Sequence, residues 1–203
     1  MDQAQIQYRV RRTCCEMLYD RKCILLPYGH FKSLREVYDQ SFDSFCQQYP
    51  SFAWQLIVNS PKQKIATLCL PEFKAAHEQT IIDTVKLLDL NRLILIVNSQ
   101  PKSNQMTRIF DIENKHKVQI EVFTNEQLVL NVTKHFLVPK HSVLTEEGKQ
   151  QVLNKYQVTE KQMPIILSSD PIAKYLGLNS GQMVQISRES EQGGKYLNFR
   201  ICK

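Results

Sequence analysis

The chain has 203 residues, with 26 Lys or Arg against 20 Asp or Glu for a formal charge of +6, and 42% of it is hydrophobic. That is enough chain for one large domain or two small ones, each burying a core, and two is the expectation. The basic excess fits a polyanion nearby without identifying one; the aliphatic run 93–97 ends at Asn98, no run approaches membrane-spanning length, and no membrane partner is expected.

Ile6, Val10, Cys14 and Leu18 recur four apart with Met17 beside them, which predicts an amphipathic helix over 5–21 with Arg9, Arg12 and Arg21 turned outward. Ser33 and Glu36 have capping-box spacing and open a second helix expected to run to about Gln47, before Pro50. The period then shortens. Residues 54–58 and 65–70 are apolar runs around Asn59-Ser60-Pro61, which reads as strand, turn and strand. Ala76, Ile81, Val85 and Leu88 restore helical spacing over 75–90, and 93–97 suits a buried strand, completing a β-α-β unit. A helix over 102–112 and a strand over 118–123 repeat the alternation, so the first domain is expected to be α/β with a mainly parallel core.

Residues 136–141, which hold Pro139, mark the expected boundary and give domains over 1–133 and 134–203, the second with a net charge of +4 against +2 for the first. The second opens on a helix near 145–156, capped by Thr145, with Glu146 and Glu147 in the first turn where the helix dipole favours acids. Ser169 or Asp170 can cap a short helix that has Pro171 at its first position and Gly177 in the left-handed cap. Val184 and Ile186 alternate with Gln185 and Ser187, then Leu197, Phe199 and Ile201 with Asn198 and Arg200, around a turn at Gly193-Gly194. That pattern predicts a hairpin with one apolar face, inside a small α+β module that holds no reactive group.

The six cysteines, at 14, 15, 23, 46, 69 and 202, are scattered and follow no export signal, which predicts free thiols in a reducing compartment. Cys14, Cys15 and Cys23 with His30 lack the paired spacing of a structural zinc site, so no metal or cofactor is expected. The five histidines, at 30, 77, 116, 135 and 141, show no nucleophile at a telling spacing. Asn131-Val132-Thr133 matches a glycosylation acceptor but is expected to stay unmodified. One enzymatic reading stays open, a metal-dependent nuclease built on Glu113-Asn114-Lys115 with Asp83, Asp89 or Asp111, although Glu113 is expected in a polar turn. Phosphate contact through Arg9, Arg11, Arg12 and Arg21, or through Lys102 and Arg108, is the stronger polyanion reading, and a free-standing DNA-binding regulator stays open as an alternative beside the nuclease.

The run 170–178, Asp-Pro-Ile-Ala-Lys-Tyr-Leu-Gly-Leu, with Gly181-Gln182, 187–191 and Gly194-Lys195-Tyr196, resembles the end of the small shared fifth subunit of eukaryotic RNA polymerases. The family's archaeal counterpart consists of this module alone. Residues 136–141 resemble the family's linker, Gln162-Met163-Pro164 its lead into the first strand, and Tyr8 to Thr13 with Glu16-Met17 and Asp20-Arg21 its opening helix. The resemblance implies an α/β jaw domain, restriction-endonuclease-like, followed by a small α+β assembly domain. It implies a noncatalytic subunit of a DNA-directed RNA polymerase, with the largest subunit, other polymerase subunits and downstream duplex DNA as partners.

The resemblance further implies subunit assembly through Asp170, Pro171, Lys174, Tyr175, Gly177, Gly181, Arg188 and Tyr196, and a DNA-proximal position for Lys102, Ser103, Asn104 and Arg108. This sequence departs from the family at Gln100 to Asn104, at Asn179-Ser180 and at Glu189. Its divergent middle points to the version of a large DNA virus such as African swine fever virus. Viral transcription in the host cytoplasm and virion is then expected, or the nucleus if the source is cellular.

Overall fold

The computed structural model describes residues 2–25, 33–51, 53–60, 63–70, 73, 75–190 and 194–203. They divide into two units, Met1–Leu130 and Asn131–Lys203. His30, Pro61 and Gly193, named above for a metal ligand and two turns, lie outside the described residues, as does Glu191 of the 187–191 match.

In the first unit a five-stranded sheet runs β1(Ile24–Leu25), β2(Trp54–Ser60), β3(Gln63–Leu70), β4(Arg92–Val97) and β5(Gln119–Thr124) in sequence order. The β1/β2 and β2/β3 pairs are antiparallel and β3/β4 and β4/β5 parallel, so the core is mixed where a mainly parallel one is expected. The crossovers are α4(Ala75–Leu88) and α5(Ser103–His116). Their Ile81, Val85, Ile109 and Ile112 pack on Ala66, Leu68, Leu70, Leu93, Leu95 and Val97. The opposite face meets α1(Gln3–Asp20): Cys14 Sγ lies 4.0 Å from Thr67 Oγ1, and Cys69 Sγ donates to Gln7 Oε1 at 3.3 Å. With helices on both faces, every residue of β4 is buried, as the unbroken aliphatic run 93–97 requires, and Arg92 at its start is paired with Glu121. Each aliphatic side chain of 93–97 removed from water contributes about 1.5–3 kcal/mol.

Two expectations fail here. The single helix after Ser33 is two, α2(Leu34–Asp39) and α3(Phe42–Gln48), each with a serine cap, Ser33 accepting from Glu36 N at 3.2 Å and Ser41 from Ser44 N at 3.3 Å. Gln40 between them is extended, because its carbonyl accepts from Tyr8 Oη at 2.7 Å and its side chain receives Arg11 and donates to Gln48 Oε1 at 2.8 Å. The helix expected to stop at Ile112 runs on to His116, where Lys117 takes the left-handed conformation and Lys115 and His116 favour the helix dipole. A short α6(Asn125–Leu128) follows β5.

The second unit holds a four-stranded sheet in the order β6(Lys140–Val143), β8(Met183–Ser190), β9(Gly194–Cys202), β7(Ile165–Ile166). Its helices are α7(Glu146–Tyr156) and α8(Pro171–Leu176). Thr145 caps α7 by accepting from Gly148 N at 3.2 Å. The start of the unit is tied in by Asn131, whose Nδ2 donates to Tyr175 Oη at 3.0 Å.

The hairpin has two apolar faces, not one. Cross-strand partners share a face, and Val184 stands opposite Arg200, Ile186 opposite Asn198, Gln185 opposite Phe199 and Met183 opposite Ile201. Val184, Ile186 and Cys202 therefore pack with Ile166, Ala173 and Leu178 on the α8 side. Met183 and Ile201 pack with Leu153, Leu144, Val152, Val158 and Phe199 on the α7 side.

Candidate assembly surface and nucleic-acid interface

The assembly residues expected on and after α8 mostly build the module itself. Asp170 Oδ1 accepts from Ile172 N at 2.8 Å and Ala173 N at 3.4 Å, Pro171 begins the helix, and Gly177 ends it at φ 65°. Gly181 turns the chain into β8 at φ 85°, a conformation that strains any residue with a Cβ even though the space around it is open. Tyr175 is 2% exposed, so its ring completes the unit's own core and does not present itself to a partner. Lys174 is half-buried on the same helix.

Arg188 and Tyr196 are different. They stand opposite each other in the β8/β9 ladder, on the α8 side but beyond the cover of the helix, with Arg188 exposed and Tyr196 43% exposed. Asn198 and Arg200 continue that exposed column along β9. On the other face Leu197 is 48% exposed beside Phe199, whose ring lies 6.0 Å from that of Tyr156. Strand β7 pairs with β9 only at residues 201 and 202, so among the described residues no strand borders 194–200. Phe136 and Leu137, expected as mere linker, are 87% and 72% exposed. The boundary thus displays two large apolar side chains next to each other in sequence.

In the first unit the basic candidates separate sharply. Arg11 is 2% exposed; it donates to Gln40 Oε1, and its guanidinium lies 4.6 Å from the Tyr49 ring centre and 5.4 Å from that of Phe45. Burial lowers its pKa, and phosphate cannot reach it. Arg21 is also drawn inward, correcting its outward placement: it pairs with Glu121 at 2.8 Å, as does Arg92 at 2.5 Å, all three side chains being nearly buried. Arg12 is half-buried with its guanidinium 4.2 Å over the Tyr38 ring. Of the four arginines on this segment only Arg9 is exposed.

Lys102, Ser103 and Asn104 are exposed together at the start of α5, where Lys102 N donates to Gln105 Oε1 at 2.8 Å. Arg108, one turn on, pairs with Glu78 of α4 at 2.9 Å and keeps about half its side chain in water. The first three are therefore grouped, and Arg108 is partly engaged elsewhere.

The nuclease residues do not converge. Glu113 and Lys115 sit in the last turn of α5 and not in a polar turn, and Glu113 Oε1 accepts from Ile120 N at 3.3 Å. Asp83 accepts from Gln79 within α4. Among the described residues no group of three or more His, Cys, Asp or Glu stands ready for a metal ion. Burial pushes the thiols of Cys14 and Cys69 up to about 12, and raises those of Cys15, Cys23 and Cys202 as well, which keeps them protonated and poor ligands. All six cysteines are free. The Asn131 amide of the glycosylation pattern is occupied, its Oδ1 accepting from Thr133 N at 3.0 Å while Nδ2 serves Tyr175.

Residues 130–202 match the family model of the RNA polymerase Rpb5 C-terminal domain. Along its whole length the chain is similar to the DNA-directed RNA polymerases I, II, and III subunit rpabc1 of Dictyostelium discoideum, 29% identical over 195 residues that cover 96% of this chain and 95% of the relative. It is similar to the subunit RPABC1 of the same polymerases in Caenorhabditis elegans, 28% identical over 211 residues that cover 96% and 94%. The RPABC1 of Caenorhabditis briggsae stands at the same identity and coverage.

Proposed function

We infer that this chain is a noncatalytic subunit of a DNA-directed RNA polymerase. The observation that carries this is similarity running through 96% of the chain, and so through both units, to relatives named as polymerase subunits. The C-terminal family match covers the second unit on its own account. Catalysis belongs to other subunits of the complex, and neither a nuclease nor a free-standing regulator is favoured. No helix among the described residues is long and apolar enough to cross a membrane.

We assign residues 134–203 as the assembly domain, held on the largest subunit, and 1–133 as a jaw domain that reaches toward downstream duplex DNA. The exposed Arg188 and Tyr196 and the apolar pair Phe136 and Leu137 support the first role, since exposed rings and arginines are what interface centres are made of. Lys102, Ser103 and Asn104 support the second, as an exposed cation and two exposed polar residues at the positive end of a helix, suited to a phosphate. A mixed sheet with helices on both faces is compatible with a restriction-endonuclease-like jaw. A large DNA virus as source, with work in the host cytoplasm and virion, rests on the divergent middle of the sequence; a cellular source would make it nuclear.

Affinity purification of the tagged chain from its natural host, followed by mass spectrometry, tests the reading. Equimolar recovery with the two largest polymerase subunits is expected, and recovery of the chain alone would overturn it. Removing 134–203 should abolish that recovery.

A further inference from the structure

Strand β9 is nine residues long, yet its outer edge is paired only at its end. The amides of Ile201 and Lys203 point outward, donating to Pro164 O at 2.9 Å and Ile166 O at 3.0 Å, while Cys202 N points back to Gln182 O at 2.9 Å. Backbone direction alternates along a strand. The N–H and C=O of Lys195, Leu197 and Phe199 therefore face the open side, where no described strand meets them.

The two faces that flank this edge differ in chemistry. On the α8 side stand Tyr196, Asn198 and Arg200 of β9 with Arg188 of β8 behind Tyr196, all exposed; Arg200 Nη1 donates to Ile165 O at 3.4 Å, and among the described residues neither arginine makes an ion pair. On the α7 side stand Leu197 and Phe199, with Tyr156 beside them. An added strand would put alternate side chains against each face.

We propose that the 194–200 edge of β9 receives an extended protein segment in which acidic and apolar residues alternate, the acids meeting Arg200 at the edge and the long side chain of Arg188 reaching past Tyr196 from β8, and the apolar side chains covering Leu197, Phe199 and Tyr156. This rests on the assembly reading above and specifies the partner's chemistry. A second copy of the same edge fits badly, because residues 194–200 hold no acid to meet Arg200. Edge charge of this sort guards against self-pairing while leaving an acidic strand free to enter.

The test uses the full chain, isotopically labelled, and a short synthetic peptide of alternating Glu and Leu, beside a Lys and Leu version. Binding of the acidic peptide should slow amide exchange at Lys195, Leu197 and Phe199 by about tenfold or more at saturation, leaving Tyr196 and Asn198, already in the ladder, little changed. R200E should weaken it about tenfold, as expected for one charge-assisted contact. L197P removes an outward N–H without touching the β8 ladder and should abolish the protection with the fold intact by circular dichroism.

Equal binding of the Lys peptide, acidic-peptide binding without protection of those three amides, or their protection by self-association alone would each overturn the proposal. The tagged L197P chain separates this from the broader reading. Its undiminished recovery with polymerase would sink the edge and leave the subunit standing, whereas failure of the unaltered chain to recover polymerase would sink the subunit reading itself.

Discussion

Helix α1 and the β8/β9 hairpin both carry arginines on patterned elements, and the two treat them in opposite ways. In α1 and the residue after it, Arg11 and Arg21 are folded inward onto Gln40, aromatic rings and Glu121. In the hairpin Arg188 and Arg200 stay exposed, Arg200 making one long bond to Ile165 O at 3.4 Å. A run of basic residues therefore does not by itself mark a binding surface. What decides is whether the fold provides polar partners good enough to offset the loss of hydration.

That contrast can be broken by removing the inward partner. Glu121→Ala leaves Arg21 and Arg92 buried without their shared carboxylate and should cost about 3–5 kcal/mol, read from urea unfolding. The same interior holds protonated thiols, and their pH dependence sharpens the picture. Folded Cys14 and Cys69 keep their protons up to about 12, against an ordinary 9.0, so the unfolded chain loses protons first. Stability from these groups is complete below pH 9 and should decline as pH rises from there toward 12, which thermal unfolding across that range would register. A fall confined to pH below 9 would contradict it.

A smaller effect is expected at the α8 cap, where Asp170→Ala removes the acceptor for Ile172 N and should cost about 1 kcal/mol by chemical denaturation. Least of all should come from the outward arginines. Arg188→Ser and Arg200→Ser should each change stability by less than about 0.5 kcal/mol, yet lower the recovery of the chain with its polymerase partners. If instead they destabilised the isolated chain as much as Glu121→Ala, the distinction between the two regions would disappear.

Much of the fold was legible in the residues. Helix α4, strand β4, the Thr145 cap and the Asp170-Pro171-Gly177 helix follow from local period and cap chemistry, which need no distant partner. Three features were not legible, each for a long-range reason. Gln40 breaks the helix after Ser33 because Arg11 and Tyr8, some thirty residues away, hold it extended. Glu113 stays helical because α5 keeps Ile109 and Ile112 on the sheet and ends only at Lys117. The hairpin shows two apolar faces because register, not alternation within each strand, decides which residues stand together.

The candidate site was legible in the same proportion. Arg188 and Tyr196 were named from the sequence and lie exposed side by side, whereas Tyr175, drawn from the same stretch, fills the core. The unpaired length of β9 could have been anticipated only by comparing nine residues of β9 with two of β7, and the pairing of those strands is not a local property.

The amino-acid order alone determined the periods, the caps and the division of the chain into an α/β part and a small α+β part, since these depend on neighbours within a few residues. Which arginines are inside, which face of the hairpin is covered and which strand edge remains open were decided by packing between distant segments. Burial of a charge and pairing of a backbone edge depend on groups brought from elsewhere in the chain, and no local pattern encodes their arrival.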